Sequence, residues 1–305
     1  MSPDKKPTSL RPPVRKAVIP VAGFGTRFLP ATKATPKEMF PLVDKPLTQY
    51  VVEEAVACGI EEIVFVTGQA KRAIEDHFDR NIELEYLLDN KGKKRELEQV
   101  MELAEKADFV YVRQKEMLGL GHAILQARHL IGDEPFLVMT PDDVFSDNSG
   151  SNGRPAAQTL IDAYEKVGTP IIGVQEVPKD RVHLYGIVSG EPVGDGLLKM
   201  TGIIEKPDQK DAPTNLAQCG RYLFVPEIFE HFAQAKPGKS GEIHITEGIK
   251  GLISNQTVHA AMIPNLYHDA GSKLGYLQAI VEFALARDDL GEEFETYLRK
   301  RLKNA

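Results

Sequence analysis

Lys16-Ala17-Val18-Ile19-Pro20-Val21-Ala22-Gly23-Phe24-Gly25-Thr26-Arg27 begins as an unbroken apolar run and closes on two glycines and a cation. A strand with one wet face alternates apolar and polar residues; a continuous run such as 17–21 is what a parallel strand covered on both faces requires. The glycines fall at the carboxyl end of that strand. There, backbone without Cβ atoms lets N–H groups approach a phosphate, and this is the edge at which doubly wound sheets take ligands. Gly-x-Gly alone serves equally well as a tight turn. Spacing disfavours two familiar loops: a dinucleotide fingerprint needs a third glycine where Phe28 stands, and a Walker A loop needs a terminal Gly-Lys-Ser/Thr, which is absent.

Working outward, the loop continues through Arg27-Phe28-Leu29-Pro30, Thr32-Lys33 and Pro36-Lys37-Glu38-Met39. One cation here would read as a solvated loop residue; Arg27, Lys33 and Lys37 together, trailing a glycine turn, point to a triphosphate cradle. Beyond it the spacing predicts helices over 49–58, 70–78, 96–106 and 121–130, interleaved with strands over 63–66, 109–113 and 136–139. This βαβα order predicts the α/β class, a doubly wound, mainly parallel mixed sheet flanked by helices. The second half predicts helices over 156–166, 227–235, 246–253, 273–287 and 292–302 and a strand over 171–174. Strand-like runs between Tyr185 and Phe224 predict antiparallel β-ribbons laid over the sheet. With no internal repeat and no clean linker, the expectation is a short flexible arm (1–14) followed by a single domain (15–305).

Composition narrows the function classes. The 305 residues are 42% hydrophobic and 27% charged, with a net charge of −7 and the two signs intermixed. A general nucleic-acid binder shows a basic face or tail, and no such block is visible. No apolar run has the length of a membrane-spanning helix, and the first residues lack the apolar centre of a secretion signal. Cys58 and Cys219 are too few for a disulfide framework or a cysteine metal cluster. The expectation is a cytoplasmic protein with a locally positive pocket for anionic ligands.

Further constellations carry chemistry. The 136–139 strand runs into Thr140-Pro141-Asp142-Asp143, and carboxylates at a strand end can hold Mg²⁺ beside a phosphate. An Asx turn explains the same residues as well. Asp269, in Tyr267-His268-Asp269-Ala270-Gly271, is a second metal candidate or else a helix cap. Gln114 precedes Leu118-Gly119-Leu120-Gly121-His122, where an amide can read a base edge across flat glycine backbone, or face solvent. Glu205-Lys206-Pro207 offers a carboxylate for sugar hydroxyls beside an ammonium for a phosphate, or a surface charge pair.

The segment from Gly23 to Met39, with Asp142, Asp269, Gln114 and Glu205-Lys206 elsewhere in the chain, resembles the signature of the sugar-phosphate nucleotidyltransferase family, from Lys16 to about Tyr297. The resemblance implies a Rossmann-like fold and transfer of a uridylyl group from UTP to glucose 1-phosphate, giving UDP-glucose and pyrophosphate. It implies Mg²⁺ held by Asp142 and Asp269, and the nucleotide held by Ala22, Gly23, Gly25, Thr26, Gln114 and Gly121. Asp143, Gly186, Glu205 and Lys206 fall to the sugar phosphate, and Arg27, Lys37 and Lys206 to the reacting phosphates. Such enzymes form dimers or tetramers, so a homo-oligomer is expected. The chain departs from the family at Thr140, where leucine is usual, and at His244, where glutamine is usual. The competing expectations are the same chemistry with dTTP, and a non-catalytic nucleotide-sugar sensor. Loss of a metal aspartate or of Arg27 would mark the sensor, and all three residues are present.

Overall fold

The structure, a computed structural model, describes residues 11–147, 150–238 and 241–303. Its strands are β1 (Lys16–Pro20), β2 (Pro41–Leu42), β3 (Lys45–Pro46), β4 (Glu62–Thr67), β5 (Asp108–Arg113), β6 (Phe136–Met139), β7 (Asp143–Ser146), β8 (Ile171–Glu176), β9 (Gly186–Gly194), β10 (Leu197–Glu205), β11 (Leu216–Phe224), β12 (His259–Met262) and β13 (Leu266–Asp269). Its helices are α1 (Leu47–Ala57), α2 (Arg72–Phe78), α3 (Ile82–Asn90), α4 (Lys94–Glu105), α5 (Leu120–Leu125), α6 (Arg128–Ile131), α7 (Ala156–Val167), α8 (Ile228–Gln234), α9 (Ile245–Asn255), α10 (Lys273–Leu285) and α11 (Gly291–Lys303).

One nine-stranded sheet, ordered β5-β4-β1-β6-β11-β8-β12-β10-β9, organises the molecule. All its strands but β10 and β11 point the same way. β1 lies between β4 and β6, parallel to both, with Val18 opposite Val64 on one side and Val138 on the other. Its alternate side chains enter two separate cores. Ala17 and Ile19 pack with Val51, Leu160 and their neighbours, while Val18 packs with Ile124, Phe136 and Phe229. That double burial is the physical cause of the unbroken apolar run. It also leaves the strand's carboxyl end as the place where chain meets solvent. The expected antiparallel ribbons are β9–β10, and a separate pair, β7–β13, crosses the sheet's carboxyl edge.

Three features differ from the sequence-based expectations. The helix expected over 121–130 is broken into α5 and α6. Helix α3 was not expected: its buried residues are only Glu85 and Leu88, while Ile82 and Tyr86 face outward, so no apolar stripe marks it. Local chemistry sustains it instead, through Asn81 accepting from Leu84 N–H (3.0 Å) and Arg80 paired with Glu85. Of the arm expected over 1–14, residues 1–10 lie outside the described residues. Arg11 donates to the Tyr164 and Lys166 carbonyls at the end of α7, and Val14 is buried. Among the described residues no helix is long and apolar enough to cross a membrane.

Candidate active site

The glycine loop leaves β1 and folds as three 3₁₀ turns, Thr26–Phe28, Ala31–Lys33 and Lys37–Met39, with Pro30 and Pro36 interrupting any longer helix. Gly25 takes φ +62°, the left-handed region that suits glycine. Its carbonyl accepts from Thr32 Oγ1 (2.9 Å), and the Lys37 side chain passes 3.1 Å from where a Cβ would stand. Phe28, Phe40 and Tyr276 interlock at 5.4–5.9 Å between ring centroids and fasten the loop to α10. Beneath it, Glu38 (1% exposed) accepts from Lys71 at 2.7 Å. Burial pushes the Glu38 carboxyl up and the Lys71 ammonium down, each opposed by the charge of its partner. Lys33 is exposed and lines neither cavity described below, so of the three cations only Arg27 and Lys37 reach the site.

The loop after β6 meets the end of β13. Ala270 N–H donates to the Asp142 carbonyl (2.8 Å), and Asp143 stands opposite Asp269 in the β7–β13 ladder. A Cβ on Gly271 would lie 2.5 Å from Asp142 Oδ2 and 3.0 Å from Asp269 Oδ1, so both carboxylates face that glycine. Lys37 Nζ donates to Asp142 Oδ2 at 2.5 Å, and Arg27 Nη1 donates to the Gly271 carbonyl at 3.4 Å. Burial works to raise the Asp142 carboxyl, but the charge and hydrogen bond of Lys37 outweigh it and hold the group below its ordinary value. Asp269 is raised, by burial and then by the charge of Asp142. Asp143 is pushed up to about 7 by burial and by both neighbouring carboxylates, even though it accepts from Tyr267 (2.5 Å) and from Thr140. Asp142 and Asp269 suit Mg²⁺: hard oxygen donors in a like-charged pair, which that cation commonly completes with phosphate and water oxygens. No array of three or more His, Cys, Asp or Glu fit for a metal occurs among the described residues.

Two cavities flank this junction. One, of about 450 Å³, is lined by Ala22, Gly23, Gly25, Thr26, Gln114 and Asp142. The other, of about 860 Å³, is lined by Arg27, Tyr185, Lys206, Tyr267 and Asp269. Each has the volume of a small-molecule site. The buried Gln114 amide enters the first, its Nε2 donating to the Gly119 carbonyl (3.2 Å) and lying 3.0 Å from His122 Nδ1. Gly119 lines this cavity; Gly121 does not, and is glycine because Phe232 and Ile243 come within 2.8–2.9 Å of its Cβ position. Lys206, at φ +44°, points its half-exposed ammonium near Glu205 Oε1 (3.7 Å). Glu205 lies directly across the β9–β10 ladder from Gly186.

One functional cluster carries little mark in the sequence. Arg221 of β11 is wholly buried; it grips Glu54 of α1 with two bonds (2.9 and 2.7 Å) and donates to the Asp143 and Thr140 carbonyls (2.9 and 3.4 Å). It clamps the backbone of the carboxylate loop. Its one signal is an arginine within the apolar run of 216–224, where the only way to bury it is to pair it. Gly220 beside it has φ +72°, and a side chain there would collide with Thr140 and Asp143. The register of β11 against β8 shifts between Gln218 and Tyr222.

Gly271→Ala is expected to lower turnover at least tenfold with little change in thermal midpoint, because its methyl displaces both carboxylates rather than a core side chain. Steady-state rates beside a melting curve check this; unchanged rates would mean that the carboxylate positions are not critical.

Cations and carboxylates set between two ligand-sized cavities at the carboxyl edge of a doubly wound sheet define a protein that handles phosphate esters by positioning and charge. Residues 16–285 match the family described as nucleotidyl transferase, and the chain belongs to that family. Its relatives include the UTP–glucose-1-phosphate uridylyltransferase of Staphylococcus epidermidis, 45% identical over 287 residues, covering 94% of this chain and 98% of the relative. That of Bacillus subtilis (strain 168) is 47% identical over 285 residues, covering 93% and 96%. Among solved structures, a UTP-bound UGPase from Acinetobacter baumannii superposes with a TM-score of 0.86 at 40% identity, covering 93% of this chain and 98% of its own. A UDP-glucose pyrophosphorylase in complex with UDP-glucose gives 0.82 at 40% identity, covering 90% and 100%.

Proposed function

We propose that this chain transfers the uridylyl group of UTP to glucose 1-phosphate, releasing pyrophosphate and UDP-glucose. The observation that carries the reading is the junction at Gly271. Asp142 and Asp269 both face that glycine, with one ligand-sized cavity reached from the glycine loop and the other from Lys206. The uridylyltransferase relatives, similar over nearly their full length, supply the substrates.

The sugar phosphate is already an anionic nucleophile, so no protein nucleophile is needed. Its phosphate oxygen forms a bond to the α-phosphorus of UTP in line with the bond that breaks, and pyrophosphate departs with the electron pair. Glycine-loop backbone and Lys37 hold the triphosphate; Arg27, on the far side of the junction, bridges it towards the acceptor. Lys206 neutralises the acceptor phosphate, and Gln114 presents its amide to the base. Asp142 and Asp269 would hold Mg²⁺, which when bound lowers the repulsion between the reacting phosphates. Bringing these charges together in a fixed geometry is the whole of the catalytic task. The protein acts in the cytoplasm as a dimer or tetramer, and the exposed Leu274, Leu277, Tyr297 and Leu302 of α10 and α11 support the self-association.

Pyrophosphate release measured with UTP, dTTP, ATP, CTP and GTP, each against glucose 1-phosphate, with Mg²⁺ or EDTA, tests the proposal. Turnover is expected with UTP and to vanish in EDTA. A preference for dTTP would overturn the nucleotide, and tight UDP-glucose binding without turnover would make the chain a sensor.

A further inference from the structure

Three buried side-chain oxygens that lack a hydrogen-bond partner, Glu205 Oε2, Gln218 Oε1 and Thr246 Oγ1, belong to residues set around one glycine, Gly186. Three separate elements deliver them. Glu205 lies opposite Gly186 on β10. Gln218 arrives on β11, its Nε2 2.6 Å from the Cβ position of residue 186; Thr246, at the start of α9, places its Cγ2 3.1 Å from the same point. Thr246 is fully buried. The fourth such atom among the described residues, Asn265 Oδ1, belongs elsewhere, on a side chain whose Nδ2 donates to the Arg154 carbonyl (2.9 Å).

Unpaired buried polar atoms are rare in folded proteins, and three on residues around one glycine require an explanation. Their chemistry specifies it. A carboxylate oxygen and an amide carbonyl only accept, while a threonine hydroxyl accepts and has one hydrogen to give. A ligand that satisfies all three presents several O–H donors close together on a compact frame, which describes a sugar ring. A side chain at residue 186 would collide with the Gln218 amide, so glycine there is what lets Gln218 and Thr246 stand against the β9 backbone.

Resting on the function proposed above, we propose that Gln218 and Thr246 join Glu205 in holding the hexose, with Gln218 the residue that reads one particular hydroxyl as a donor. Glu205 beside the Lys206 ammonium fixes the sugar near its phosphate; Gln218, from the opposite strand, adds an acceptor whose direction the strand sets. An axial or missing hydroxyl at the position it reads leaves its carbonyl unpaired, and discrimination follows from that loss.

The test uses the full chain, the variant Gln218→Leu, and glucose 1-phosphate with its monodeoxy and monodeoxyfluoro analogues at each ring position. A C–F group accepts but cannot donate, so at the position read by Gln218 both analogues are equally poor for the unaltered chain. Gln218→Leu is expected to raise KM for glucose 1-phosphate about tenfold, the worth of one such bond. It leaves KM for UTP unchanged and abolishes the penalty for that one analogue pair. Calorimetry reads the same thing without turnover: affinity for UDP-glucose falls and affinity for UDP does not. Thr246→Val, nearly the same shape, produces the same selective weakening and serves if the leucine variant folds poorly. Unchanged UDP-glucose affinity in both variants, meaning that only an ordered water occupies the cluster, overturns the proposal, as does an equal loss for UDP and UDP-glucose. If the unaltered chain fails to use glucose 1-phosphate, it is the function that falls, and that is seen before any variant is made.

Discussion

Asp142→Asn is expected to lower kcat/KM for uridylyl transfer on the order of 10³-fold, the scale on which a preorganised charge acts at reacting phosphates. The side chain barely changes size, and the backbone bond from Ala270 N–H to the residue 142 carbonyl survives. What disappears is a formal charge. Lys37 keeps that carboxyl ionised against the pull of burial, so the native site carries a negative charge ready for a cation. The fold should tolerate the change. Asp143 and Asp269 are both raised by burial and then by the charge of Asp142, and relief of that repulsion offsets the lost pair with Lys37. A Mg²⁺ titration of steady-state rates beside a melting curve separates the two effects. Retention of activity within tenfold of the unaltered chain would remove Asp142 from the metal site.

Arg221→Met is expected to cost about 3–5 kcal/mol of stability, the usual penalty for stranding one member of a buried ion pair. The guanidinium has no exposed surface and Glu54 is only 11% exposed, so the change strands a largely buried carboxylate. The same change frees the Asp143 and Thr140 carbonyls, so turnover should fall with stability. Adding Glu54→Leu should return much of the stability, since the uncompensated carboxylate is then gone; Ala157 N–H, which donates to Glu54 at 2.9 Å, limits the recovery. Urea denaturation of both single variants and the double variant closes the cycle. Additive losses would mean that Arg221 and Glu54 are not coupled.

The difference between these two residues explains how far the sequence can be read. Asp142 stands at a strand end beside a proline, where a metal site and a turn both ask for a carboxylate, so residue type and position make it a candidate and the family resemblance favours the metal. Strand β1 is legible for a similar reason: burial on both faces leaves no freedom in the pattern, and 17–21 shows it. Arg221 and Glu54 lie 167 residues apart in sequence, and only the packing of β11 against α1 gives either a purpose. Glu38 and Lys71 are obscured in the same way, as ordinary surface residues until the loop closes over them. Helix α3 is hidden for the opposite reason. Of its apolar side chains only Leu88 is buried, so periodicity carries no message about a core it hardly touches.

The register shift in β11 has a practical side. Gln218 precedes the irregularity and serves the acceptor end; Gly220 and Arg221 follow it and brace the carboxylate loop. A mutagenic library confined to 216–218 would therefore sample new acceptor sugars while the reaction machinery stays as it is. Extending that library across Gly220 would fill it with inactive clones, because every other residue there drives a side chain into Thr140 and Asp143. One kinked strand thus sets the border between what a protein engineer can vary and what must be inherited unchanged.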